Sequence, residues 1–377
     1  MTHDQHAGAR GATRRSPLQR GLPKDDAGLE PRPTRPAQVD VLVVTALHEE
    51  HEAVRKVGSA HAEQTEWLRH DAGGFPPYQT IEVFISGGST ISVALARPTR
   101  MGSRSTAPML TALAQRLEPR CLAMCGVCAG NPDVLALGDV VVAELVYEFD
   151  EGKLTKAGFL GDHRQFPMDE HWVRQAQEFS QYDLDSYGSV TLEEAKLWLL
   201  EQLLIGNEPR NHPARARYFP DRTWPIWPLD VQAEGLIMRS GQGWALTEKG
   251  RCTIERRLYD DVDGPDRLPF AVKVAPIGSG SSVVSDHATW TRLRNMGVRT
   301  IAALDTEAAT VATVAHQQRT PHWLVVKGVM DHADSNKDDR YKTFAARASA
   351  EVLFALLCRL LARPSTGPAA RRVPAKS

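Results

Sequence analysis

The chain has 377 residues, of which 42% are hydrophobic and 24% charged. These are ordinary proportions for a globular protein with room for one large domain or two smaller ones. A formal net charge of −1 supplies no global field to attract nucleic acid or a membrane surface, and no apolar run reaches the roughly 20 residues of a membrane span.

Residues 1–38 are rich in Pro, Gly, Arg and Asp without an apolar period, so a disordered tail is expected. From this polar, Arg-rich start no secretory signal is expected. Five cysteines without framework spacing suit a reducing cytoplasm.

Val39 to Ala46 (VDVLVVTA) reads as a buried strand. It breaks at Leu47-His48-Glu49-Glu50, and a helix follows with Val54 and Val57 on one face. Glu50 therefore stands at a strand's carboxyl end or in the first helical turn. Val83 to Ser86 and Ile91 to Ala96 read as paired strands joined around Gly87-Gly88. Arg100 to Ser105 is a small loop with two arginines, Arg100 and Arg104. It opens a helix with Leu110, Leu113 and Leu117 on one face, and a loop of this kind at a helix N-terminus can hold an anion.

Cys121 to Cys125 is the next strand and runs into Gly126-Val127-Cys128-Ala129-Gly130, small residues that admit a ligand close to backbone. Cys121, Cys125 and Cys128 lack a fourth partner at finger-like spacing, so they are read as small buried residues, with no metal expected. Another strand spans Val140 to Leu145, and the alternation to this point argues for an α/β protein with a mostly parallel core.

The texture changes between residues 183 and 263. Thr191-Leu192-Glu193-Glu194 carries a capping-box pattern. A Pro- and Trp-rich stretch, Arg222 to Pro228, comes next, followed by a hairpin across Ser240 to Gly243 and a helix from Thr247. Helix, hairpin and helix resemble a winged-helix module. The segment holds at least as many acids as bases, which argues against a phosphate-neutralising face and favours a protein contact or lid.

Val272 to Ile277 resumes buried strand and reaches the small-residue loop Ser279 to Val284. Thr300 to Leu304 is an apolar run that breaks at Asp305-Thr306-Glu307, and Ala308, Val311, Ala312 and Ala315 then recur at helical spacing. This puts Glu307 in the first helical turn. Trp323 to Val326 is a buried strand carried by Lys327 to Met330 to a polar tip at Asp331. Phe344, Ala348, Val352, Leu356 and Leu360 form a closing amphipathic helix, and residues 364–377 a basic disordered tail. Carboxyl ends of strands in an open parallel sheet face the ligand crevice, so Glu50, Glu307 and Asp331 can meet there.

The ordered set "VVTALHEE", "MCGVCAG" with "LGDVVVAE", "SGSSVV", "LDTEAA" and "KGVMDHAD" resembles the nucleoside phosphorylase and nucleosidase superfamily. The resemblance is strongest to its methylthioadenosine/adenosylhomocysteine nucleosidases. It implies a three-layer α/β fold with a central mixed, mostly parallel sheet. The implied domain is discontinuous, residues 39–182 and 264–363, interrupted by the winged-helix-like insert at 183–263.

The resemblance further implies a hydrolase that frees the base from an adenine nucleoside or nucleotide, needing no cofactor and working as a homo-oligomer. Glu50 matches the acid that orients water, Glu307 the glutamate that binds the ribose hydroxyls, and Asp331 the aspartate that passes a proton to purine N7. Val283 and Val284 match the base-contacting segment, and Val127, Cys128 and Ala129 the loop beside the ribose. Arg100 and Arg104 are candidates for a phosphate.

The chain departs from the family at several points. Asp305-Thr306-Glu307 stands where Glu-Met-Glu is common, Met330 replaces a serine, and Lys327 replaces an arginine. The Cys125 to Gly130 loop lacks the Arg and Ser that phosphorylases use on phosphate, which favours water as nucleophile. A looser resemblance extends to effector domains of bacterial defence proteins that cleave adenine nucleotides. The competing expectations are a phosphorylase of the same fold, a catalytically silent nucleotide sensor, and a DNA-binding regulator acting through the insert.

Overall fold

The computed structural model describes residues 38–71, 74–85, 88–156, 158–220, 224, 226–334 and 339–362. The tails expected at 1–38 and 364–377 lie outside these residues, apart from residue 38, as do Ser86, Gly87 and residues 221–223 and 225.

The order of elements begins β1 (Val41–Val44), α1 (His48–Ala60), β2 (Leu68–His70), β3 (Tyr78–Ile85), β4 (Ser89–Ala96), α2 (Ser103–Leu117), β5 (Cys121–Gly130) and β6 (Val140–Glu148). A small hairpin, β7 (Gly152–Thr155) and β8 (Gly158–Gly161), precedes β9 (Gln165–Pro167) and α3 (Glu170–Gln177). Then come α4 (Leu192–Leu204), α5 (Arg215–Tyr218), α6 (Trp227–Ala233), β10 (Ile237–Ser240), β11 (Gly243–Leu246) and α7 (Glu248–Asp260). The chain closes with β12 (Val272–Ser279), α8 (Ala288–Asn295), β13 (Ala303–Asp305), α9 (Ala308–Gln318), β14 (His322–Asp331) and α10 (Lys342–Leu360).

Ten strands make one mixed sheet in the order β13-β12-β6-β14-β5-β1-β4-β3-β2, with β9 added beside β6. Parallel pairings join β4, β1, β5 and β14, and also β6, β12 and β13. Antiparallel pairings join β14 to β6 and β13 to β5, which curls this end of the sheet back on itself.

Strand β1 is fully buried along Val41 to Val44, as a central strand covered on both faces must be. Its alternate residues serve different layers. Val41 and Val43 pack with residues of α1, α3 and α10, such as Val54, Trp172 and Val352. Leu42 and Val44 pack with α2 and α9 through Leu110, Leu113 and Val311. The result is the expected three-layer arrangement. α10 lies close over β14: a Cβ at Gly328 would stand 2.2 Å from the carbonyl oxygen of Ala345.

The segment from α4 to α7 has its own apolar cluster, built on Trp198, Leu199, Leu200, Phe219, Val231 and Ile254, and Ala136, from the loop between β5 and β6, joins it. Thr191 caps α4 and pairs with Glu194, as the Thr-x-x-Glu spacing requires. β10 and β11 form an antiparallel hairpin apart from the main sheet. No helix among the described residues is long and apolar enough to cross a membrane.

Candidate active site

The carboxyl ends of β1, β5, β12, β13 and β14 converge on one open cavity. Its wall takes Glu50 from α1, Val127 to Ala129 from β5, Val283 and Val284 from the loop after β12, Glu307 at the start of α9, and Asp331 at the end of β14. The fold thus brings together every candidate residue except Arg100 and Arg104. Those two are exposed and do not line the cavity, whereas their neighbour Met101 does.

Glu50 is 2% exposed. As the third residue of α1 it folds back over the helix start, where its Oε2 accepts from the backbone N–H of Ala46 and of Leu47, each at 2.8 Å. Its Oε1 accepts from the N–H of Val127, also at 2.8 Å. A carboxylate offers about four lone-pair sites, so three are occupied and one remains for a water in the cavity. This close fit depends on Gly126, where an added Cβ would lie 2.2 Å from Glu50 Oε1.

Glu307 sits one residue ahead of α9, and its Oε1 accepts from the N–H of Gly102 at 2.6 Å. Burial raises its pKa above the ordinary carboxylate value, with Asp305 adding to the effect and Lys327 opposing it. Asp331 ends β14 after a register shift between Val329 and Asp331. Its Oδ1 accepts from the N–H of Ala333 at 2.8 Å.

Below these acids lies an ion pair that sequence reasoning did not assign. Lys327 Nζ is 3.0 Å from Asp305 Oδ2, with both side chains at most 2% exposed. Burial alone works against the ammonium, but Asp305, Glu50 and Glu307 together outweigh it and raise its pKa. Asp305 also accepts from Ser279 Oγ at 2.7 Å and from the N–H of Ala308 at 2.9 Å, so it fixes the start of α9 beside Glu307. A lysine inside the apolar run Leu324 to Met330 was the available signal, since a buried lysine needs an acid partner. Asp305, Thr306, Met330, Leu304, Ser282, Ala46 and Leu47 complete the lining. Cys121, Cys125 and Cys128 are buried free thiols, each with its pKa raised by burial.

No protein-family profile matches the chain. A curated relative, the uncharacterized protein y4jS of Sinorhizobium fredii, is 23% identical over 281 residues, covering 74% of this chain and 52% of that protein. The ATP nucleosidase Cap17 of Escherichia coli is 24% identical over 313 residues, covering 83% of this chain and 50% of the relative. The chain therefore spans about half the length of the curated relatives it matches.

Among solved structures, the 5′-methylthioadenosine/S-adenosylhomocysteine nucleosidase of Streptococcus pneumoniae, held with a transition-state inhibitor, superposes with a TM-score of 0.51 at 18% identity. The match covers 85% of this chain and 99% of that one. The corresponding enzyme of Neisseria meningitidis, in complex with methylthio-immucillin-A, gives a TM-score of 0.50 at 16% identity over 85% of this chain and 98% of the other. The chain therefore has the fold of these nucleosidases.

Proposed function

We propose that the chain hydrolyses the N-glycosidic bond of an adenine nucleoside or nucleotide and releases adenine. The observation that carries this reading is the meeting of Glu50, Glu307 and Asp331, drawn from three separate elements, in one cavity. Breaking the bond between ribose C1′ and purine N9 leaves the electron pair on the base and positive charge on the sugar. Asp331 supplies the proton taken up at N7. Glu307 accepts hydrogen bonds from the ribose hydroxyls, and Glu50 orients the water that attacks C1′ and takes its proton. Carboxylates beneath the sugar stabilise the developing cation.

The charge of the site favours water over phosphate. Phosphate entering here would meet Glu50, Asp305, Glu307 and Asp331, while Lys327, the one buried Lys or Arg among the described residues, is already tied to Asp305. The likeness to an ATP nucleosidase supports the nucleotide end of the substrate range, and so does the exposed pair Arg100 and Arg104. These stand either side of Met101, which lines the cavity, and of Gly102, which bonds Glu307.

The β7–β8 hairpin exposes Leu154 and Leu160 at 82% and 61%. Its approach is tied to the cavity loop through Asp150, which accepts from Ser281 N–H and Oγ; an apolar surface of this kind suits a homo-oligomer. Residues 183–263 are read as the inserted winged-helix-like module, and the five free cysteines fit the cytoplasm.

The test is release of free adenine, followed chromatographically, from adenosine, AMP and ATP with and without phosphate. Asp331→Asn keeps the shape of the side chain but withholds the proton, so turnover should fall by about 10²–10⁴-fold. Turnover near the unsubstituted rate would remove Asp331 from the mechanism.

A further inference from the structure

The backbone on both sides of Asp331 is fixed by residues that themselves pair with, or lie beside, the α4–α7 segment. On the near side, the N–H of Val329 donates to the carbonyl of Asp139 at 2.7 Å, and the N–H of Gly138 donates to the carbonyl of Val329 at 2.8 Å. The Asp139 side chain is buried and accepts from the N–H groups of Ala136 and Ala271 at 2.8 and 2.9 Å. Its remaining partner is Arg217 of α5, whose guanidinium donates to both carboxylate oxygens.

On the far side the turn after Asp331 is strained. Ala333 adopts a positive φ of 58° while fully buried, a left-handed conformation that its Cβ disfavours. Something outside the turn must hold it. Trp290 Nε1 donates to the carbonyl of His332 at 3.0 Å, and His332 Nδ1 bonds the carbonyl of Gly130 at 2.7 Å. The His332 ring also faces a cavity shared with His212, Trp198 and Tyr218 of the insert. Farther along, Arg340 pairs with Glu201 of α4 at 2.7 Å and approaches Asp261, just after α7, at 3.6 Å.

We propose that the insert is a positioning module for Asp331, and that Arg217 and Arg340 are the residues through which it acts. Arg217 fixes Asp139 and thereby the backbone two residues before the carboxyl group. Arg340 lies in the turn Asp339–Tyr341, which packs against β14, and ties that turn to the insert. Neither guanidinium lines the reaction cavity, so neither touches substrate. The inference rests on the reading of Asp331 as the proton donor. It adds that the insert sets where the proton is delivered, so that turnover depends on how the insert is seated.

The test uses the full chain and adenine release from ATP and from adenosine. Arg217→Ala and Arg340→Ala are each made in the unsubstituted chain and in the Asp331→Asn background. Displacing a reacting group by about 1 Å costs about 10²-fold. Each substitution should therefore lower kcat by about 10–100-fold with little change in KM, and should have no further effect once Asp331 is already Asn. Arg340→Lys should restore most of the loss, because one ammonium can still reach Glu201.

Arg217→Ala strips a buried carboxylate of its partner. If that variant fails to fold, Arg340→Ala, which removes a pair at the rim, decides the matter. Equal losses in both backgrounds, a loss confined to KM, or no loss would overturn the positioning role. Undiminished turnover by Asp331→Asn alone would instead overturn the proton-donor reading on which it rests.

Discussion

Gly126→Ala probes the site through its narrowest contact. The added methyl carbon would lie 2.2 Å from Glu50 Oε1, 2.4 Å from its carboxyl carbon and 2.9 Å from Oε2. Comfortable separations between non-bonded heavy atoms are about 3.5–4.0 Å, so the carboxylate must retreat by about 1 Å or more. It cannot do so and keep three N–H donors at 2.8 Å, since bonds of this type fail beyond about 3.5 Å. Loss of even one hydrogen bond to a buried charged group costs about 1.5–3 kcal/mol of stability. The catalytic loss should be larger, about 10²-fold in kcat for a nucleophile-orienting group moved by about 1 Å. Thermal unfolding and adenine release, measured on the same preparation, separate the two effects. A Gly126→Ala protein that melts and turns over like the unsubstituted chain would refute the placement of Glu50 beneath Val127.

Further outcomes follow from the same geometry. Lys327→Met leaves Asp305, Glu50 and Glu307 without their buried counter-charge, so stability should drop by about 3–5 kcal/mol, read as a lower urea midpoint; an unchanged midpoint would deny the pairing. Burial raises Glu307 above its ordinary value of 4.5, so the folded chain holds this proton where the unfolded chain has lost it. Stability from this group is therefore greatest at low pH and declines as pH rises from about 4.5 through the raised folded value. Ribose binding runs the opposite way, because it needs the ionised acceptor. The acid limb of kcat/KM should accordingly lie above 4.5 and vanish in Glu307→Gln; an unaltered limb in that variant would assign it to another group. Arg100→Ala combined with Arg104→Ala should weaken turnover of ATP or AMP by a few kcal/mol, about the scale of lost charge-assisted hydrogen bonds, while sparing adenosine. Equal effects on all three substrates would exclude a phosphate role.

The parts of the site that follow from local pattern are legible in the sequence. Strand β14 announces itself by the apolar run Trp323 to Val326 and its polar end, and the observed strand reaches Asp331. The break after Val44 places Glu50 in the first turn of α1. Glu307 differs by one step: it precedes the first helical residue, Ala308, because the Asp305 carboxylate takes the Ala308 N–H and starts the helix there.

What stays hidden is what depends on residues far apart in the chain. Nothing local to Gly126 tells that its missing side chain makes room for Glu50, 76 positions earlier. Lys327 and Asp305 lie in different strands, and their pairing needs the curl that brings β13 beside β5 and β5 beside β14. Arg100 and Arg104 invite attention by residue type, yet the backbone turns Met101 toward the cavity. The grip of Arg217 on Asp139 joins α5 to the start of β6 and has no signature in either segment alone.

The most direct test of the account is turnover of ATP and adenosine in ¹⁸O-labelled water, with the sugar product examined by mass spectrometry in the presence and absence of phosphate. Attack by a water held at Glu50 predicts free adenine, one ¹⁸O atom in the released sugar at C1′, and a rate indifferent to phosphate. A sugar 1-phosphate formed only when phosphate is added, or no adenine from either substrate by the folded protein, would contradict it.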